Sequence, residues 1–76
     1  MTLDKLQIGK IARIDGYSSE YKAIITQFIT LGVVPEVRVQ VMNVAFFGCP
    51  IQIKVGQSLL SIRKAEAALI NIEELV

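Results

Sequence analysis

Leu31-Gly32-Val33-Val34-Pro35-Glu36 and, further along, Phe46-Phe47-Gly48-Cys49-Pro50-Ile51 are the stretches whose reading decides how this chain folds. The first reads as the stop of an amphipathic helix. Gly32 sits where a left-handed residue ends a helix without steric cost, and Pro35 prevents the helix from continuing. The second reads as a tight corner between two strands of alternating Val and Ile. One helix feeding a strongly curved hairpin in a chain of 76 residues leaves few architectures.

Upstream of the first stretch, Tyr21, Ile24, Ile25, Phe28 and Ile29 recur at i, i+3, i+4, i+7 and i+8. That spacing forms one apolar stripe and predicts a helix over 20–31. A helix with such a face is expected to pack it on its own core. Ser18 or Ser19 can cap this helix by accepting a backbone N–H bond. Before the helix, Leu3-x-x-Leu6 opens the chain up to Gly9. Residues 10–17 read as a strand with a bend, because Ile11 and Ile14 fall in different phases. Asp15-Gly16 and the two serines after Tyr17 read as a loop.

Downstream, Val37, Val39 and Val41 alternate with Arg38, Gln40 and Met42, one dry face and one wet. The alternation slips at Met42-Asn43. A slip of one residue flips every later side chain, so a bulge or sharp bend belongs there. Ile51, Ile53 and Val55 alternate again, and Gly56-Gln57 suits a type II′ hairpin turn. Residues 58–63 continue as strand, 64–68 form about one helical turn, and 69–72 close as a last strand. Glu73-Glu74 reads as a solvated tail. The expected fold is mainly β: a small SH3-like barrel of about five strands, with one inserted amphipathic helix and a short C-terminal helical turn. Residues 1–76 are expected to form one domain.

Composition sets the boundaries of function. With 53% hydrophobic residues and a mean hydropathy of +0.53, the chain carries more apolar surface than a domain this small readily buries. Two readings stand side by side: an exposed apolar patch that meets a partner, or ordinary scattered apolar surface. The longest uncharged apolar stretch, residues 44–51, is far short of a membrane span, and the acid-bearing start lacks a signal-peptide core. A single cysteine fits a reducing cytoplasm. The net charge of +1, from eight basic and seven acidic residues, gives no basic stripe for nucleic acid.

The chemical inventory is nearly empty. With no histidine and one cysteine, neither a Ser–His nor a Cys–His nucleophile can be assembled, and one chain cannot fill a four-ligand zinc site. No phosphate-cradling Gly-rich run is present. Catalysis and a resident cofactor are therefore not expected. Cys49 reads either as an exposed metal- or disulfide-forming thiol or as a small apolar turn residue. Phe46 and Phe47 point to opposite faces if strand geometry holds, so both cannot enter the same core, and one of them is a candidate for an exposed apolar patch and partner anchor.

Over essentially its whole length the chain resembles the FeoA family of bacterial ferrous iron uptake. The resemblance rests on Leu3-x-x-Leu6-x-x-Gly9, on Leu31-Gly32-Val33-Val34-Pro35, on the corner Val44-Ala45-Phe46-Phe47-Gly48-Cys49-Pro50-Ile51, and on Leu59-Leu60-Ser61-Ile62-Arg63-Lys64-x-Glu66-Ala67. It departs at Glu36, where the family usually has glycine, and at Cys49, where it usually has an acidic residue. The arginine-rich polar helix face common in the family is thinned here to Lys22. The resemblance implies an accessory protein that docks onto the FeoB-type ferrous iron transporter at its cytosolic GTP-hydrolysing region, at the inner face of the membrane without entering it. The expected contact surface is Leu31, Val33, Val34, Phe46, Phe47 and Cys49. Two other readings remain open: a regulatory module like the C-terminal domain of iron-dependent repressors, and a weak homo-oligomer formed through a sheet edge or the phenylalanine corner.

Overall fold

The alternation of Val and Ile is realised as strands with one face turned inward. The computed structural model describes residues 1–75. It contains β1 (Ile11–Tyr17), α1 (Lys22–Thr30), β2 (Arg38–Val44), β3 (Ile51–Val55), β4 (Ser58–Ile62), α2 (Lys64–Ala67) and β5 (Ile70–Glu74), with 3-10 turns at Leu3–Lys5 and Phe46–Gly48. The five strands form one antiparallel sheet in the order β4-β3-β2-β1-β5, curved as an SH3-like barrel. Its concave side is a single cluster that includes Leu3, Leu6, Ala12, Ile14, Val39, Val41, Ile53, Ile62 and Ile70.

Two bulges give the sheet its curvature. In β2, Val41 pairs with Ile53 but Asn43 pairs with Gln52, so Met42 is the extra residue, at the place where the sequence pattern slips. In β1, Ile14 pairs with Ile72 and Gly16 with Asn71, leaving Asp15 as the extra residue. The β3–β4 hairpin turns at Gly56, whose φ of +59 suits the first central position of a type II′ turn. Helix α2 begins where the Glu66 carboxylate accepts the Arg63 backbone N–H at 2.8 Å, half of a capping box.

Three local expectations are corrected. Asp15-Gly16 is strand, not loop, because the bulge absorbs Asp15 and lets Gly16 and Tyr17 pair with β5. Glu73-Glu74 is not a tail but the end of β5, where Glu73 receives an ion pair from Arg13 at 2.6 Å. Neither serine caps α1: its N-cap is Tyr21, and Ser19 Oγ instead accepts the Tyr21 backbone N–H at 3.1 Å. No helix among the described residues is long and apolar enough to cross a membrane.

Candidate functional site

The helix stop is built as the sequence implies. Gly32 has φ +87, its N–H donates to the Ile29 carbonyl at 3.0 Å, and the Val33 N–H donates to the Phe28 carbonyl at 2.8 Å. These are the two bonds of a Schellman motif, which also brings the residue after the glycine onto the helix face. Val33 and Phe28 accordingly lie fully in the core. The Tyr17 ring stacks on Phe28 with centroids 5.7 Å apart, and its hydroxyl donates to the Val33 carbonyl at 2.6 Å. Loss of water around that hydroxyl raises the Tyr17 pKa. Val33 therefore cannot be a surface contact as expected, and Val33→Asp tests folding rather than docking. Leu31 is exposed and Val34 half-buried.

The helix stripe is not packed as expected. Of its five apolar residues only Phe28 is buried and Ile24 packs against the core, while Tyr21 is 75% and Ile29 52% exposed. The face of α1 is wider than the strip of barrel it meets.

The second stretch forms a protruding corner. Strand β2 ends at Val44, the Ala45 N–H donates to the Pro50 carbonyl at 3.0 Å, and the Gly48 N–H donates to the Ala45 carbonyl at 2.8 Å. Inside this turn Phe47 has φ 73 and ψ 11, a left-handed conformation that a bulky residue rarely adopts. Phe46 is 83% and Phe47 93% exposed, their rings meeting edge to face with centroids 4.4 Å apart. The strand geometry assumed for the pair does not hold: the strand has already ended, and the turn carries both rings outward. Burying a phenylalanine side chain is worth about 1.5–3 kcal/mol, which this corner forgoes twice. Cys49 is a free, exposed thiol beside them.

The structure does not bring the expected contact residues together. Leu31 and Val34 precede β2 and the phenylalanine pair follows it, so the length of that strand, on the order of 20 Å, lies between them. Sequence reading also missed Leu59, which is 72% exposed on β4. The signal was present: of two adjacent leucines in an alternating strand, one must face out. Among the described residues no group of three or more His, Cys, Asp or Glu side chains is placed to hold a metal ion.

The FeoA domain family matches residues 1–74. The chain belongs to the FeoA family. Its fold is similar to the solution structure of iron(II) transport protein A from Clostridium thermocellum, at 32% identity and TM-score 0.90, covering 99% of this chain and 46% of that one. The chain thus spans less than half of that relative. The Chlorobium tepidum FeoA protein is similar at 29% identity and TM-score 0.91, covering 100% of this chain and 71% of that one. A manganese-dependent transcriptional repressor shares the fold at 16% identity and TM-score 0.88, covering 99% of this chain and 41% of the repressor. Comparison with curated proteins finds no match.

Proposed function

We propose that this chain is a non-catalytic, cytoplasmic accessory protein that docks onto a FeoB-type transporter at its cytosolic GTPase region and supports Fe²⁺ import. The observation that carries the reading is the Phe46-Phe47 corner. Two aromatic rings stand 83% and 93% exposed on a turn whose backbone is held in an unfavourable conformation. Exposed aromatic rings on a fixed turn have the form of partner anchors, since they bring large contact area at little entropy cost. Leu31 and Val34, at the other end of β2, contribute only if the partner spans that strand. Cys49 lies within the corner's footprint.

The test is an NMR titration of the labelled chain with the soluble GTPase domain of a matching transporter, with and without nucleotide. Shifts centred on Phe46 to Cys49, and their loss in a folded Phe47→Gly variant, are the expected result. Absence of shifts in every nucleotide state removes the GTPase region as the docking partner.

A further inference from the structure

The two edges of the sheet are finished differently. Along β5 the outer edge is covered and charged: Thr2 bridges Asn71, the Ile72 N–H donates to the Met1 carbonyl at 2.9 Å, and the strand ends in Glu73-Glu74. The opposite edge, β4, reads Ser58-Leu59-Leu60-Ser61-Ile62, with no charge, no proline and no bulge in its pairing to β3. Among the described residues no backbone group of β4 bonds to anything but β3. Proteins usually blunt such edges with lysine, proline or a covering segment, because an open ladder templates another strand. Here one edge is blunted and the other is not.

From this contrast we infer that β4 is a self-pairing edge, at which two copies of this chain join their sheets antiparallel about a two-fold axis through Leu60. Such pairing is independent of docking to a transporter. The sequence of the edge selects a second copy as its occupant. A two-fold contact uses the same patch twice, so the strand must be complementary to its own reverse. Centred on Leu60, the pairing sets Leu59 against the partner's Ser61 and Ser61 against the partner's Leu59. No like charges meet within the strand. On the outer face the two copies of Leu59 become diagonal neighbours, within reach of each other. Each adjoins a groove of about 270 Å³ lined by Met42, Gln52, Leu59, Leu60 and Ser61. The pairing thus gives the exposed Leu59 side chain, which the fold leaves bare, an apolar neighbour. On the inner face Leu60, already packed against the core of its own barrel, meets its symmetry mate.

Sedimentation velocity over a concentration series tests this on the full chain. The wild type is expected to show a reversible monomer–dimer equilibrium. Leu59→Lys and Ser61→Glu each place a charge on the solvent side of the strand, where folding tolerates it, and two symmetry-related contacts compound to about tenfold weaker association. Mixing the two variants sets the introduced lysine of one against the introduced glutamate of the other and is expected to restore dimer as a heterodimer, which fixes the register. Unchanged thermal unfolding of each dilute variant shows that the barrel is intact. A wild type that stays monomeric at every concentration overturns the proposal. So does a dimer that survives both substitutions but is lost in Phe47→Gly, since the phenylalanine corner is then the contact. Failure of the mixed variants to associate overturns the register.

Discussion

Residues 34–37 and 45–48 make two turns of the same kind, and the difference between them separates structure from function. In Val34-Pro35-Glu36-Val37 the Val37 N–H reaches the Val34 carbonyl at 3.3 Å and Glu36 has φ 77. In Ala45-Phe46-Phe47-Gly48 the Gly48 N–H reaches the Ala45 carbonyl at 2.8 Å and Phe47 has φ 73. Each holds a side-chain-bearing residue where glycine is favoured, at a cost of about 1–2 kcal/mol. At the first turn the fold offsets that cost. The Glu36 N–H donates to the Ile14 carbonyl at 2.8 Å, and the Ile14 N–H donates to the Val37 carbonyl at 2.9 Å, which fastens the turn to β1. At the second turn the strain orients two rings that touch solvent and each other. Backbone strain at an exposed turn of this kind is what motivates the docking role proposed for the corner.

Substitutions can break or sharpen this contrast. The largest effect is expected in the buried helix stop that leads into the first turn. Phe28→Ala removes the buried ring beneath Val33 and Tyr17 and is expected to lower stability by about 3–5 kcal/mol in urea unfolding. Truncating exposed Phe46 to Ala leaves stability within about 0.5 kcal/mol. Equal losses would erase the distinction between the two regions.

A smaller effect of opposite sign is expected from relieving the backbone. Glu36→Gly and Phe47→Gly are each expected to raise stability by about 1 kcal/mol, as the left-handed conformation becomes unstrained. The two then part company in the transporter titration, where Glu36→Gly retains binding and Phe47→Gly loses it. If both bind like the wild type, the corner's strain has no docking role.

The smallest effect concerns the bond that locks the helix stop. Tyr17→Phe removes the hydroxyl that donates to the Val33 carbonyl and is expected to cost about 0.5–1 kcal/mol. Its pH dependence has a definite sign. The folded chain holds the Tyr17 pKa above the ordinary 10 because burial disfavours the phenolate. The stabilisation is therefore complete below pH 10 and falls away as the pH rises past it. Urea midpoints of wild type and Tyr17→Phe should differ at neutral pH and converge as the pH is raised above 10.

Much of the barrel was legible because its signals are local. The period-two runs through Val39-Val41 and Ile51-Ile53-Val55, the slip at Met42, the helix stop at Gly32 and the hairpin at Gly56 each depend on residues a few positions apart. Glycine-like geometry at position 36 was legible only through the family resemblance, since Glu36 conceals it. What sequence could not assign was which apolar residues the fold would use. Tyr21, Ile25 and Ile29 share a stripe with Phe28, yet only Phe28 and Ile24 find the core. Val33 looks like a surface neighbour of Leu31, but the Schellman turn drives it inward.

By itself, then, the amino-acid sequence determined the periodicity of each element, the places where the chain must turn, and an excess of apolar residues over what a small core can hold. Tertiary structure alone decided where that excess is displayed: at Phe46 and Phe47 beyond the end of β2, on the outer side of α1, and along the open edge of β4. It also paired Arg13 with Glu73, 60 positions away in the chain. The physical reason is that periodicity is set by backbone geometry within a few residues. Burial depends instead on which distant segments close over a side chain, and no local pattern records that.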